Sequence, residues 1–208
     1  RGILARAEEI GVEAMVVTRS PHKFQDVKPT TKVVETQLHE EEKLKKALAG
    51  CDGVISALGD DRKKRPKTHC LPYVWNAMKA ADVTKYVGMA SGAMMMPGEK
   101  RGGFQRAVHP LLSVLKLFSV DLLEQNEWER DSLVMGKNGA DGITWAITRV
   151  VRPTQTPFVG AYAHKDRRGP INCSIYDHGD FCLYCVASSK WDKLAPLVSS
   201  GPQPKNGV

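Results

Sequence analysis

Three apolar runs end in residues suited to chemistry. "VEAMVVT" runs into Arg19 and Ser20, with Pro21, His22 and Lys23 behind them; "GVISALG" ends at Leu58 and Gly59; "KYVGMAS" ends at Ser91. A guanidinium fork matches phosphate oxygens in pairs, and a following hydroxyl adds a hydrogen bond. The competing reading of Arg19 is a surface cation that closes a strand. Cys182 and Cys185 form a C-x-x-C, which by itself suggests a redox or metal pair. The stretch "FCLYCVAS" has helical spacing and no second C-x-x-C accompanies it, which favours small buried hydrophobes. His39, His69, His109, His164 and His178 are scattered without ligand spacing, so no metal site is proposed. Glu124, Glu127, Glu129 and Asp131 share one helical stretch and read as a charged face, while Trp75 and Trp128 read as core or interface residues.

The elements that must position these residues follow from periodicity. "RGILARAEEIG" opens the sequence as a helix ended by Gly11. "VEAMVVT" and "VVET" are β-type runs, and residues 38–50 form an amphipathic helix. "GVISALG", "KYVGMAS" and "ITWAITRV" are strands buried on both faces. Residues 66–82 read as a helix broken at Pro72, and a long helical stretch ends near Gly136. The tail holds "FVGAYAH", a turn at "KDRRGP", "INCSIYD" and a helix capped by Asp177. Strands alternating with helices imply βαβ units, hence an α/β fold: a doubly wound, mostly parallel sheet with helices on both faces. Such sheets bind ligands beyond the carboxyl ends of their strands, the edge that carries Arg19, Gly59 and Ser91. Where dinucleotide folds take NAD, the second strand ends in an acid; a cation there suits the 2′-phosphate of NADP.

The 208 residues, 42% hydrophobic and 25% charged, suit one globular domain over residues 1–208. The net charge of +7 reads as a solvated basic surface, since acids are interspersed and no basic stripe with aromatics marks a nucleic-acid site. The five cysteines are odd in number and widely spread, as suits reduced thiols and a cytoplasmic protein. No apolar run approaches the ~20 residues of a membrane span. The apolar stretch over 109–123 reads as a buried helix face or an oligomer contact.

"VVTRSPHK", "GCDGVISALG", "VTKYVGMAS", "GITWAITRVVRP" and the tail from "FVGAYAH" to "FCLYCV" together resemble the atypical short-chain dehydrogenase/reductase group, a Rossmann family, in particular its NADPH-dependent flavin reductase (biliverdin-IXβ reductase) and NmrA-like branches. The resemblance covers nearly the whole chain, and its most specific part is the tail, with Gly160, Ala161, Tyr162, Gly169 and Pro170 in the family's order. It implies NADP as cofactor, NADPH preferred over NADH. Arg19, Ser20 and Lys23 would hold the 2′-phosphate, Leu58 and Gly59 would line the cofactor, and Ser91 would lie beside the nicotinamide. Arg149 and Pro153 would line the nicotinamide side, and Glu129 resembles an acid found before "GITWAIT" in relatives.

Two departures accompany the matches. Arg152 stands where the flavin reductases have a histidine near the acceptor, and a guanidinium with a pKa above 12 cannot act as a general acid. It could hold an anionic acceptor or orient a carbonyl, so Ser91 and Arg152 are the candidate catalytic residues. No Tyr-x-x-x-Lys pair is present. The family pattern also opens with a strand and a Gly-x-x-Gly-x-x-Gly turn, whereas this sequence opens at Arg1 inside the following helix, with Gly2 as the motif's last glycine. The sheet is therefore expected to lack its first strand and Gly-rich loop, which a natural segment ahead of Arg1 would supply; without them dinucleotide affinity is expected to be poor.

The leading expectation is an NADPH-dependent reductase of a flavin, tetrapyrrole or quinone-like acceptor. The alternatives are an NmrA-like dinucleotide-binding sensor or scaffold without turnover, and a structural subunit of a larger assembly. The expected partner is a small-molecule acceptor, with neither nucleic acid nor membrane, and the protein is expected to be a monomer or homodimer.

Overall fold

The structure, a computed structural model, describes residues 1–26, 31–59, 65–99, 120–164 and 171–201. Helix α1 (Gly2–Glu9) is followed by strand β1 (Met15–Thr18), a 3₁₀ turn at Pro21–Phe24, strand β2 (Lys32–Glu35) and helix α2 (Glu41–Leu48). Then come β3 (Val54–Ser56), α3 (Pro66–Ala80), β4 (Lys85–Ser91), α4 (Val120–Met135), β5 (Thr144–Val150), β6 (Arg152–Thr154), β7 (Ala161–His164), β8 (Asn172–Ser174), α5 (Ile175–Ala187) and β9 (Leu197–Ser200).

The main sheet runs β3-β4-β5-β9-β7, parallel except where β7 pairs antiparallel with β9. β1 and β2 form a separate parallel pair, and β6 and β8 another. No ladder joins β1 or β2 to β3 among the described residues, so the β1–β2 pair stands apart from the main sheet.

Side chains alternate across the pleat of β4 and β5 and feed two cores. Tyr86, Trp145 and Ile147 face Leu44, Leu71, Trp75, Met78 and Leu133 of α2, α3 and α4. Val87, Ala146 and Val150 face Phe181, Cys182 and Cys185 of α5, with Trp191 and Val198. Helices therefore cover both faces of the sheet, which is why these strands read as continuous apolar runs.

Local sequence explains helix α2 and close packing explains the placing of α1. Glu41 and Glu42 open α2 and Lys45 and Lys46 close it, matching the helix dipole, while Leu44, Ala47 and Leu48 turn inward. α1 packs closely on α5: a Cβ on Gly2 would collide with the Ile175 carbonyl, and Arg6 donates to Asp180 Oδ1 at 2.7 and 3.1 Å.

Three expectations are corrected. Helix α3 runs unbroken through Pro72. The proline removes one helical hydrogen bond, a cost of about 3 kcal/mol, which burial of Leu71, Val74, Trp75 and Met78 outweighs. The cap of α5 is Ser174, whose Oγ accepts Tyr176 N at 3.2 Å, and Asp177 already lies inside the helix. The run over 53–59 is a strand only at Val54–Ser56, leaving Leu58 and Gly59 beyond the ladder. Residues 100–119, read from the sequence as helical and holding His109 and most of the apolar 109–123 segment, and residues 165–170, read as a turn and holding Gly169 and Pro170, lie outside the described residues.

Candidate functional site

Arg19, Ser20 and Ser91 lie at the strand ends where the sequence places them. Arg19 follows β1 directly and is exposed. Ser20 precedes the Pro21–Phe24 turn, and its amide donates to Thr18 Oγ1 at 3.1 Å. Lys23 closes that turn, its amide reaching Ser20 O at 3.1 Å, and its side chain is exposed. The result is a short, braced loop presenting two cations and a hydroxyl. Beyond β3, Leu58 is half-buried, and a Cβ on Gly59 would meet no atom within 4 Å, which leaves room along the backbone.

Ser91 ends β4 opposite Val150, the last residue of β5. Its Oγ accepts Ala93 N at 3.2 Å, so its proton remains available to donate. The chain turns sharply there: Gly92 N bonds Val150 O at 2.7 Å, and a Cβ on Gly92 would collide with Val151. Just past β5, Arg152 N donates to Ile171 O at 3.0 Å. Ser91, Val151, Arg152 and Ile171 thus form one rim, on which Val151 and Ile171 are half exposed and the Arg152 side chain has no ion pair among the described residues. Pro153, next in β6, is exposed and pairs in register with Cys173.

Arg149 and Gly2 are placed differently from these rim residues. Arg149 is 1% exposed and gives two hydrogen bonds of 2.7 Å to Glu99 and one of 2.9 Å to Met94 O, holding the loop after β4. Gly2 is buried at the start of α1, where contact with α5 already requires a glycine.

Beneath β4 lies a polar cluster that periodicity alone did not reveal. The Lys67 ammonium donates to Met89 O at 2.7 Å, Asn126 Oδ1 at 2.6 Å and Glu129 Oε2 at 2.5 Å. Glu129 Oε1 accepts the Tyr86 hydroxyl at 2.6 Å, and a Cβ on Gly88 would collide with that oxygen. Burial, the Glu129 charge and the hydrogen bond to it all push the Tyr86 phenol well above its usual pKa. Glu129 is thus the exception on a helix read as a charged face. Its likeness to an acid in the family was the only signal for it. Trp75, stacked on Trp128 at 5.9 Å and edge-on to Tyr86, seals the cluster.

Elsewhere the buried polar groups serve packing. Asp177 Oδ1 accepts the amides of Val159 and Gly160 at 3.0 and 2.9 Å, and its Oδ2 accepts Ser200 Oγ. Thr148 Oγ1 bridges Gly88 O at 3.2 Å and His178 Nε2 at 2.7 Å, and burial holds the imidazole down at about 4. Burial pushes the Cys182 and Cys185 thiols up to about 12, which disfavours the thiolate that redox or metal chemistry would need. Among the described residues, no group of three or more His, Cys, Asp or Glu could hold a metal ion, and no helix is long and apolar enough to cross a membrane. A hollow lined by Met96, Leu133, Met135, Ile143 and Trp145 lies at the amino end of β5, away from Ser91.

Comparison with known proteins follows the same lines. The model of a family described as NAD(P)H-binding matches residues 2–187. No curated protein matches. A protein from Lactobacillus casei is 18% identical, aligned over 97% of this chain and 94% of its own, with a TM-score of 0.75. An oxidoreductase from Lactococcus lactis is 14% identical over 96% of this chain and 85% of its own, with a TM-score of 0.72. A short-chain dehydrogenase/reductase from Veillonella parvula, solved in complex with NADP, is 11% identical over 99% of this chain and 91% of its own, with a TM-score of 0.67. At such identities these structures share the fold.

Proposed function

The chain belongs to the NAD(P)H-binding family, and on that premise we propose that it is an NADPH-dependent oxidoreductase delivering a hydride to a flavin, tetrapyrrole or quinone-like acceptor. The observation that carries this reading is the rim at the carboxyl end of β4 and β5. There a half-buried serine with a donatable proton stands beside exposed apolar side chains and an exposed guanidinium. Arg19, Ser20 and Lys23 would hold the 2′-phosphate, and the open backbone at Leu58 and Gly59 would admit the cofactor. When bound, the dinucleotide supplies the hydride from its nicotinamide ring.

Ser91 would hold a carboxamide or carbonyl by donating its hydroxyl proton. Val151 and Ile171 would exclude water from one side of the acceptor, and Arg152 would bind an anionic group on it. A conjugated acceptor spreads the incoming charge over its ring system. It therefore needs little protein acid, which suits a rim whose described side chains are those of Ser91, Val151, Arg152 and Ile171. The same reading carries with it a cytoplasmic monomer or homodimer whose partners are small molecules, not nucleic acid or membrane.

Arg152 also favours a second reading, a sensor that binds the dinucleotide without turnover, because a guanidinium supplies no proton. Titrating the full-length protein with NADPH and NADH, then following NADPH absorbance after adding FMN or a quinone, separates the two. Oxidation of NADPH supports the reductase, tight binding without oxidation supports the sensor, and absence of binding overturns both.

A further inference from the structure

The ladder between β3 and β4 stops at the pair Ser56–Gly88, while β4 continues through Met89, Ala90 and Ser91. Successive residues of a strand turn their amides to opposite sides. The Thr84 carbonyl accepts Thr144 N at 2.8 Å and Gly92 N reaches Val150 O at 2.7 Å, so the even-numbered positions serve β5. Met89, odd-numbered, therefore turns its carbonyl to the β3 side. In a longer β3 the amide of Leu58 would meet it, and in this structure the Lys67 ammonium does so, at 2.7 Å.

We propose that Lys67 is a positioning residue for Ser91. Its ammonium stands in for a strand amide on Met89, and Glu129 and Asn126 hold it there, so a side chain fixes the strand end that presents the serine. The inference rests on the reading of Ser91 as part of the hydride-transfer site. Two features support it. All three ammonium protons are committed, one of them to main chain just two residues before Ser91. The ion pair is also sealed, Lys67 at 1% and Glu129 at 0% exposure, and a pair needed only to fill space there would be replaceable by apolar side chains. The arrangement also leaves Leu58 and Gly59 out of the ladder, where a cofactor could use them.

The test is the double substitution Lys67→Met/Glu129→Gln, which keeps charge balance and leaves an amide oxygen for the Tyr86 hydroxyl. Two measurements are made beside wild type: hydrogen exchange by mass spectrometry, and single-turnover hydride transfer from 4-deuterated NADPH. The expected result is faster exchange confined to residues 89–93, an unchanged Kd for NADPH, and a hydride step slowed about tenfold to a hundredfold with a larger isotope effect. Unchanged exchange at 89–93 or an unchanged hydride step overturns the proposal. So does faster exchange spread evenly over α3, β4 and α4, which would mark a merely structural pair. Should the wild type bind NADPH but reduce nothing, the oxidoreductase reading fails by itself, and the exchange pattern still decides whether Lys67 fixes the Ser91 strand end.

Discussion

Arg149 and Glu99 meet fork to fork, with both hydrogen bonds at 2.7 Å, and the pair ties the loop after β4 to the end of β5. The guanidinium is 1% exposed while the carboxylate side chain keeps 22% exposure. Glu99→Ala would strand a buried cation and is expected to cost about 3 kcal/mol in urea unfolding, the low end for a broken buried pair. The neutral pair Arg149→Met/Glu99→Leu should lose less than the single variant. A larger loss in the double would show that Arg149 contributes mainly through its bond to Met94 O.

Arg19→Ala should weaken NADPH by about tenfold or more and leave NADH within about twofold. A hydrogen bond to a charged group is worth about 1.5–3 kcal/mol, and only NADPH carries the 2′-phosphate. Isothermal titration with both nucleotides decides it. Equal losses would mean that Arg19 does not touch that phosphate.

If Arg152 binds an anionic group on the acceptor, Arg152→Ala should raise KM for FMN about tenfold while a neutral quinone changes by no more than about twofold. Parallel losses for both acceptors in steady-state kinetics would remove that role from Arg152.

Gly179→Ala sets two effects against each other. Alanine favours a helix over glycine by about 1 kcal/mol. Its Cβ, however, would sit 2.7 Å from Ile3 N and 2.8 Å from the Gly2 carbonyl carbon, backbone atoms that cannot swing aside. Overpacking of this kind costs about 1–3 kcal/mol, so a net loss of stability is expected in thermal unfolding. A gain would show that α1 can slide on α5.

His178 makes stability fall with acid. Its folded pKa of about 4 lies below the ordinary 6.5, so the unfolded chain takes up the proton first as pH drops. Stability should be flat above about pH 7 and decline between about 6.5 and 4, by on the order of 3 kcal/mol at most. His178→Gln should flatten that window in urea midpoints taken across it. An unchanged slope would mean that other groups set the acid limit.

The sequence by itself determined the alternation of strands and helices, because burial on both faces leaves unbroken apolar runs and helix ends carry their own signals within a few residues. It also placed Arg19, Ser20 and Ser91 at strand ends, since those positions follow directly from where the runs stop. What it did not determine depends on partners remote in the chain. Lys67 meets Glu129 at a separation of 62 residues, and Arg149 meets Glu99 at a separation of 50. A charged residue on an amphipathic helix looks the same whether it faces water or an ion partner, so Glu129 read as part of a solvated face. Pro72 read as a break because helix propensity is local, while the core that carries α3 through it is not. The tertiary structure alone decided which charges are buried, and with them what supports β4 where its ladder to β3 ends, just short of Ser91.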